Sequence, residues 1–276
     1  MRYLALILLL LCGDSLSVMC QSPPDEPELP VSVPSSARPS TPQQPKKIFI
    51  RRNVWVDEYR FNAEERRLLE PAVEDQDQWS TFLRLPDTGL VRLYPWARRR
   101  RVVSIDDLAD GRTPDFNLYA SSYSFSKGKY GNGLHGFVDP RLGWAELRLR
   151  DGRFYTGFTG DSLGVLVSLR DTPLDSVTPQ SDGAIGLTNI VPPADSLEAT
   201  SLSRRNRAGF ALSRFRYGSS LPVAANTTYV MRSTSNRRSD ILVTFRVIRV
   251  APDGNVTIVW RKLMSYPKPE WKRRGQ

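Results

Sequence analysis

Two pairs of alternating segments, each joined by a turn that contains Asp-Gly, constrain the fold of this chain more than any other feature. Residues 144–150 (WAELRLR) place apolar and charged side chains on opposite faces, and residues 153–158 follow after the first turn. The same arrangement recurs at 240–250 and 255–263, which are rich in β-branched and aromatic residues. Asp-Gly between two such runs is the strongest short-range signal of a β-hairpin. The sequence therefore predicts two hairpins.

A third hairpin is predicted at 81–85 and 90–94, around Pro-Asp-Thr-Gly. Other strands are predicted at 102–105, 163–169, 210–217 and 228–232.

Helical signals are fewer. Residues 57–69 contain strong helix formers and are followed by Pro71, while 193–208 begin with prolines and acids and end in arginines before Gly209. Strands that pair through short turns, with two isolated helices, indicate a mainly antiparallel, hairpin-built β fold or a β-dominated α+β fold with two short helices.

The N-terminal segment indicates export. Arg2 precedes an unbroken apolar run at 4–12, which is far shorter than the roughly 20 residues of a membrane span. It has the length of the apolar part of a signal peptide, so residues 1–19 are predicted to be one. No later segment is long and apolar enough to span a bilayer. We therefore expect an extracytoplasmic protein, either secreted or held at the cell envelope.

Two processing routes fit this segment. Ser15-Leu16-Ser17 follows the small-x-small rule of an ordinary signal peptidase. Cys20 stands where bacterial lipoproteins carry their acylated cysteine, although Met19 replaces the small residue expected there. Release and lipid anchoring at Cys20 both remain open at this point.

The composition divides the rest of the chain. Residues 20–46 hold eight of the 21 prolines with several serines and few large apolar residues, which predicts a disordered tether. Residues 47–267 are predicted to form one β-rich globular domain, or two subdomains, and 268–276 a basic tail.

A formal net charge of +10 favours anionic partners. For an exported chain these would be an acidic envelope polymer or a membrane surface, and nucleic acid is not expected. The Tyr- and Gly-rich segment 119–136 suggests a glycan-contacting loop in which Tyr123, Tyr130 and Trp144 supply stacking faces. A surface loop followed by an edge strand explains the same segment.

One motif suggests a hydrolase. Ser162 lies in Gly-Asp-Ser-Leu-Gly, which matches the G-x-S-x-G nucleophile elbow and the GDSL motif of a lipase and esterase family. The elbow requires a strand before the serine and a helix after it, whereas a strand is predicted after Ser162. His135, the only histidine, precedes the serine, and both families place the histidine after it. An exported serine hydrolase is therefore an alternative, and a non-enzymatic role is favoured.

Cofactor sites lack their ligands in this sequence. One histidine and, after processing, at most one cysteine cannot supply the four ligands of a structural zinc site. No glycine-rich phosphate-binding motif is present either. We expect neither a metal nor another cofactor.

The segments 229–233 (YVMRS) and 239–247 (SDILVTFRV), followed by Asp253-Gly254 and Trp260, resemble the C-terminal part of a family of uncharacterised exported bacterial β-rich proteins. The resemblance covers about a sixth of the chain and implies a shared hairpin ending without an activity. The sequence as a whole predicts an exported binding or structural protein of the cell envelope.

Overall fold

Two antiparallel β-sheets dominate the computed structural model, which describes residues 61–96, 116–131, 145–158 and 161–272. The predicted fold class is thus confirmed. The predicted signal peptide and tether, and the strand predicted at 102–105, lie outside these residues, as do three of the singled-out side chains: Cys20, His135 and Trp144.

The strands, in chain order, are β1 Thr88–Leu93, β2 Ser122–Ser124, β3 Lys129–Tyr130, β4 Leu147–Arg150, β5 Arg153–Tyr155, β6 Ser162–Ser168, β7 Phe210–Leu212, β8 Phe215–Gly218, β9 Ser220–Pro222, β10 Thr228–Ser235, β11 Ser239–Val250 and β12 Val256–Ser265. The larger sheet has the order β1-β12-β11-β10-β6-β8-β7, and the smaller one has the order β3-β2-β4-β5-β9.

The described helices are short: α1 Ala63–Leu69, α2 Val73–Gln78, α3 Phe116–Ala120, α4 Ile185–Thr188 and α5 Ser196–Ala208, with 3-10 turns at Phe82–Arg84 and Leu174–Ser176. α1 and α5 correspond to the two predicted helices. α1 begins with a capping box between Asn62 and Glu65. In α5 the Asp195 carboxylate accepts two backbone N–H bonds, and Gly209 ends the helix with φ 76°. Capping therefore sets both helix starts.

The two predicted Asp-Gly hairpins are present. β4 pairs with β5 across Asp151 and Gly152, whose φ angles of 49° and 66° are the left-handed pair that a type I′ turn requires. β11 pairs with β12, and Gly254 in their connection has φ 84°. Both hairpins are confirmed, with left-handed residues at the turn positions where the sequence has Asp-Gly.

The third predicted hairpin is wrong. The segment expected to form its first strand contains the 3-10 turn Phe82–Arg84, and β1 pairs with β12 from Thr88↔Arg261 to Leu93↔Val256. The turn signal correctly marked a chain reversal, but β1 pairs with the distant strand β12, and its Val91 and Leu93 are buried in the core between the two sheets. The segment 210–217, predicted to be one strand, instead forms the hairpin β7–β8, which turns at Ser213 with φ 53°.

The larger sheet is covered on both faces. One face packs against the smaller sheet through an aromatic cluster in which Phe154 lies 5.1 Å from Phe245 and 5.4 Å from Tyr229, measured between ring centroids. The other face carries Val165 and Val167 and packs beneath α4, α5 and the connections between them. Fully burying a side chain of this size contributes about 1.5–3 kcal/mol, so each residue of these two layers stabilises the fold.

Packed structure continues to Lys272, beyond the predicted end of the domain at 267. Trp271 is buried against Leu163 and Ala199, and its backbone N–H and C=O both bond to the Asn236 side chain. The first residues of the predicted basic tail are thus part of the domain.

Candidate functional site

A cleft of about 760 Å³ opens beside the end of β6, the β7–β8 turn and residues 221–229. This volume lies within the range of small-molecule sites, which is about 300–1,000 Å³. Most of the lining surface is apolar, and three arginines stand among the lining residues: Arg170, Arg214 and Arg216. The cleft therefore combines an apolar wall with several positively charged side chains.

Arg170 is held in an unusual backbone conformation at the end of β6. Its φ of 55° is left-handed, which is uncommon for a residue other than glycine and costs on the order of 1–3 kcal/mol. Two backbone bonds fix it there: the Arg170 C=O accepts from the N–H of Thr228 at 2.7 Å, and its N–H donates to the Ser168 hydroxyl at 3.3 Å. The exposed Arg170 side chain therefore extends from a fixed backbone position at the edge of the cleft.

The β7–β8 hairpin brings the other two arginines to the cleft. Arg214 donates to the Asp182 carboxylate at 2.6 Å, and its guanidinium lies 5.2 Å from the centre of the Phe215 ring. In the part of the chain that the structure describes, the guanidinium groups of Arg170 and Arg216 form no hydrogen bond or ion pair. Two of the three cations are thus free to bind an anion.

The apolar wall is held rigidly. Leu169 is buried, Phe215 and Leu221 are half-buried, and all three line the cleft. The Tyr229 hydroxyl donates to the C=O of Pro222 at 2.8 Å and accepts from the N–H of Ala224 at 3.0 Å, which fixes the strand that carries Leu221. Burial raises the pKa of Tyr229, so this phenol stays neutral.

The serine of the predicted hydrolase motif occupies a different environment. Ser162 is buried at the first position of β6, opposite Ser235 of β10. The chain continues from Ser162 as a strand, so the strand–turn–helix geometry of a nucleophile elbow is absent at this serine. The structure gives no support to the hydrolase alternative.

The tyrosines of the predicted glycan-contacting loop do not present open stacking faces. Tyr123 lies in the aromatic cluster, 5.3 Å from Phe125 and 6.0 Å from Trp260. Tyr130 is half-buried and donates from its hydroxyl to the C=O of Arg92 at 2.8 Å. The described part of the segment, 119–131, belongs to the core of the smaller sheet, because its aromatic rings fill the space between the two sheets.

The polar face of β4 is also more enclosed than its alternating sequence predicted. Glu146 is 1% exposed and Arg148 is 9% exposed. The Arg148 guanidinium lies 4.1 Å from the centre of the Phe158 ring and 5.1 Å from that of Trp96, and its Nε donates to Ser122 Oγ at 3.2 Å. Burial, with a smaller effect of nearby Arg150, lowers the pKa of Arg148 to about 10.

Among the described residues, the buried carboxylate of Glu146 lacks stabilising contacts of the kind that the Arg148 guanidinium makes. Burial raises the pKa of this carboxyl to about 7, and the nearby hydroxyls of Ser126 and Ser124 oppose the rise only in part. Neither carboxylate oxygen reaches hydrogen-bond geometry within the described structure. Glu146 therefore changes its charge near neutral pH.

Sequence reasoning missed the cleft arginines because they are separated along the chain. The basic clusters visible in the sequence lie at 98–101, 204–207, 237–238 and 272–274, whereas Arg170, Arg214 and Arg216 belong to none of them. Only the pairing of β6 with β8, at Leu166↔Gly218 and Val167↔Tyr217, brings their segments together.

Three further observations bear on function. In the described residues, no helix is long and apolar enough to cross a membrane. The same residues contain no group of three or more His, Cys, Asp or Glu side chains that could hold a metal ion. Comparison with protein-family models, curated proteins and solved structures finds no match to this chain.

Proposed function

We propose that this protein is an exported binding protein that holds an anionic ligand in the cleft beside Arg170, Arg214 and Arg216. The supporting observation is that Arg170 and Arg216 line the same cleft, and that within the described residues their guanidinium groups form no hydrogen bond or ion pair. Arg presents five N–H donors in a planar fork that matches carboxylate and phosphate oxygens, so these groups are suited to an anion.

The charge balance of the cleft favours the same ligand. Its three arginines are opposed by one lining carboxylate, Asp182, which already pairs with Arg214. Two positive charges are left, next to a wall of low polarity where the attraction for an anion is stronger than on an open surface. A recessed site of this kind fits a small anionic group better than the face of a long polymer.

Export is supported by the sequence. A short apolar run after Arg2, and the proline-rich segment that follows, are typical of a signal peptide and an envelope tether. An overall charge of +10 suits the anionic surfaces outside the inner membrane.

Export predicts a processed N-terminus. Protein recovered from the source cells should begin after Ser17 or at an acylated Cys20, as read by intact mass and N-terminal sequencing. A cytosolic species that keeps Met1 through Cys20 would contradict this half of the proposal.

The cleft predicts a site-specific loss of anion binding. We expect the double variant Arg170→Ala/Arg216→Ala to weaken binding of butyl phosphate at least tenfold, since each charge-assisted hydrogen bond contributes about 1.5–3 kcal/mol. Isothermal titration at low salt measures this. The matched control is Arg204→Ala/Arg207→Ala, which removes the same charge from the exposed end of α5 and should change the affinity less than threefold. Equal weakening by both variants would mean that only overall charge matters and would contradict the proposed cleft.

A further inference from the structure

The apolar wall identifies the class of anion. We infer that the ligand is a single-chain amphiphile, with a phosphate or carboxylate head at Arg170 and Arg216 and a hydrocarbon chain along the partly exposed side chains of Phe215 and Leu221. This inference rests on the proposed function, because it assumes that the arginines bind the head.

The cleft is too large and too apolar for an inorganic anion alone. Its volume is about 760 Å³, and the arginines occupy only part of its lining. An anion bound at the guanidinium groups would leave the half-buried side chains of Phe215 and Leu221 in contact with water. Removing such apolar surface from water is the main source of affinity in small-molecule sites, so a hydrocarbon portion completes the fit.

The wall is formed before any ligand arrives. Gly183 has φ 81°, and a Cβ at this position would lie 2.7 Å from the Leu169 side chain and 3.1 Å from the Phe215 ring. This close approach is fixed because the Tyr217 hydroxyl donates to the C=O of Gly183 at 2.8 Å. A preformed wall needs no ordering when it binds a chain, which preserves affinity that a flexible site would lose.

The position of the cations favours a monomer over a membrane surface. Arg170 and Arg216 line the same recess as the apolar side chains, so a head and a chain of one molecule reach both. A lipid that stays in a bilayer would present its head group alone, and its hydrocarbon chain would not reach Phe215 and Leu221 in the recess.

The test is a chain-length series on the full-length mature protein. Butyl, hexyl and octyl phosphate, each below its micelle concentration, are titrated by calorimetry together with inorganic phosphate, octanoate, octyl glucoside and octyltrimethylammonium. We expect the affinity to rise roughly two- to fourfold for each methylene that reaches the wall. Octyl glucoside and octyltrimethylammonium should bind at least tenfold more weakly than octyl phosphate, and octanoate shows whether a planar head is accepted.

Two variants test where the anionic head and the hydrocarbon chain of the ligand bind. Arg170→Ala/Arg216→Ala should weaken all alkyl phosphates by a similar factor. Leu221→Ala should flatten the dependence on chain length, while Leu197→Ala, a control on the exposed surface of α5, should leave it unchanged. The series on the unaltered protein carries the test by itself if Leu221→Ala fails to fold.

Each outcome decides a different claim. Equal affinities for butyl and octyl phosphate would overturn the amphiphile and leave an anion site at the arginines. Binding to anionic phospholipid vesicles without binding to any soluble alkyl phosphate would also overturn it in favour of a membrane surface. If no anion binds, or if the arginine variant binds octyl phosphate as well as the unaltered protein does, both the amphiphile and the proposed cleft function are wrong.

Discussion

Asp240→Asn is expected to lower the free energy of unfolding by about 3–5 kcal/mol, as measured by urea denaturation. Asp240 and Arg232 form an ion pair with an N–O distance of 2.8 Å, and their side chains are 0% and 4% exposed. The substitution removes the negative charge and leaves the guanidinium enclosed without its counterion. Because water cannot reach the remaining cation, its full desolvation cost falls on the folded state.

The surrounding contacts show why Arg232 cannot move out to solvent. Its Nη1 donates to the C=O groups of Leu187 and Thr188, both at 2.9 Å, and its guanidinium lies 3.9 Å from the centre of the Tyr266 ring. Asp240 also accepts a bond from the Thr234 hydroxyl at 3.1 Å. The pair thus joins β10 and β11 to α4 and to the C-terminal segment.

A second ion pair in the same protein provides the control. Arg237 and Glu270 are also separated by 2.8 Å, but their side chains are 63% and 68% exposed. Exposed pairs contribute about 0–1 kcal/mol, so Glu270→Gln should have little effect. Similar small losses in both variants would show that the Arg232–Asp240 pair is hydrated in solution and that burial does not control its contribution.

Glu146→Gln is expected to remove a pH dependence of about 3 kcal/mol from the stability of the domain. The pKa of Glu146 is about 7 in the folded protein, against 4.5 for an unperturbed group. Each pH unit between these values contributes about 1.4 kcal/mol. Glutamine is neutral throughout and cannot titrate.

The direction of this pH dependence follows from the number of protons that the folded and unfolded states bind. Between pH 4.5 and pH 7 the folded state keeps the Glu146 proton and the unfolded state loses it, so the unfolded state binds fewer protons. The Glu146 contribution to stability is therefore complete below pH 4.5, falls as the pH rises, and levels off above pH 7. Denaturation of both proteins from pH 4.5 to pH 8 should show Glu146→Gln gaining stability relative to the unaltered chain as the pH rises.

A neighbouring residue supplies a matched variant with a predicted direction. Ser126 lies beside the carboxyl and lowers its pKa, so Ser126→Ala should move the transition to higher pH. Carbonyl ¹³C chemical shifts of the Glu146 side chain would report the transition directly. A stability difference between Glu146→Gln and the unaltered protein that does not vary with pH would contradict the burial of an ionisable carboxyl.

The alternation of apolar and charged residues in β4 predicts which side chains share a face, but not whether the polar face is buried. It correctly placed Leu147 and Leu149 on the core face, because side chains of a strand point alternately to its two sides. It could not show that Glu146 and Arg148, on the opposite side, would be buried as well. Burial of that face depends on segments distant in the sequence, and a period of two residues carries no information about them.

The sequence by itself determined the features that local chemistry controls. The Asp-Gly hairpins and α5 follow from turn and cap residues that act within a few positions of themselves. Only the tertiary structure decided that β1 pairs with β12, and that Arg170 shares a cleft with Arg214 and Arg216. The physical reason is that burial of apolar surface is not directional, so the partners of a strand and the neighbours of a cation are chosen by the packing of the whole chain.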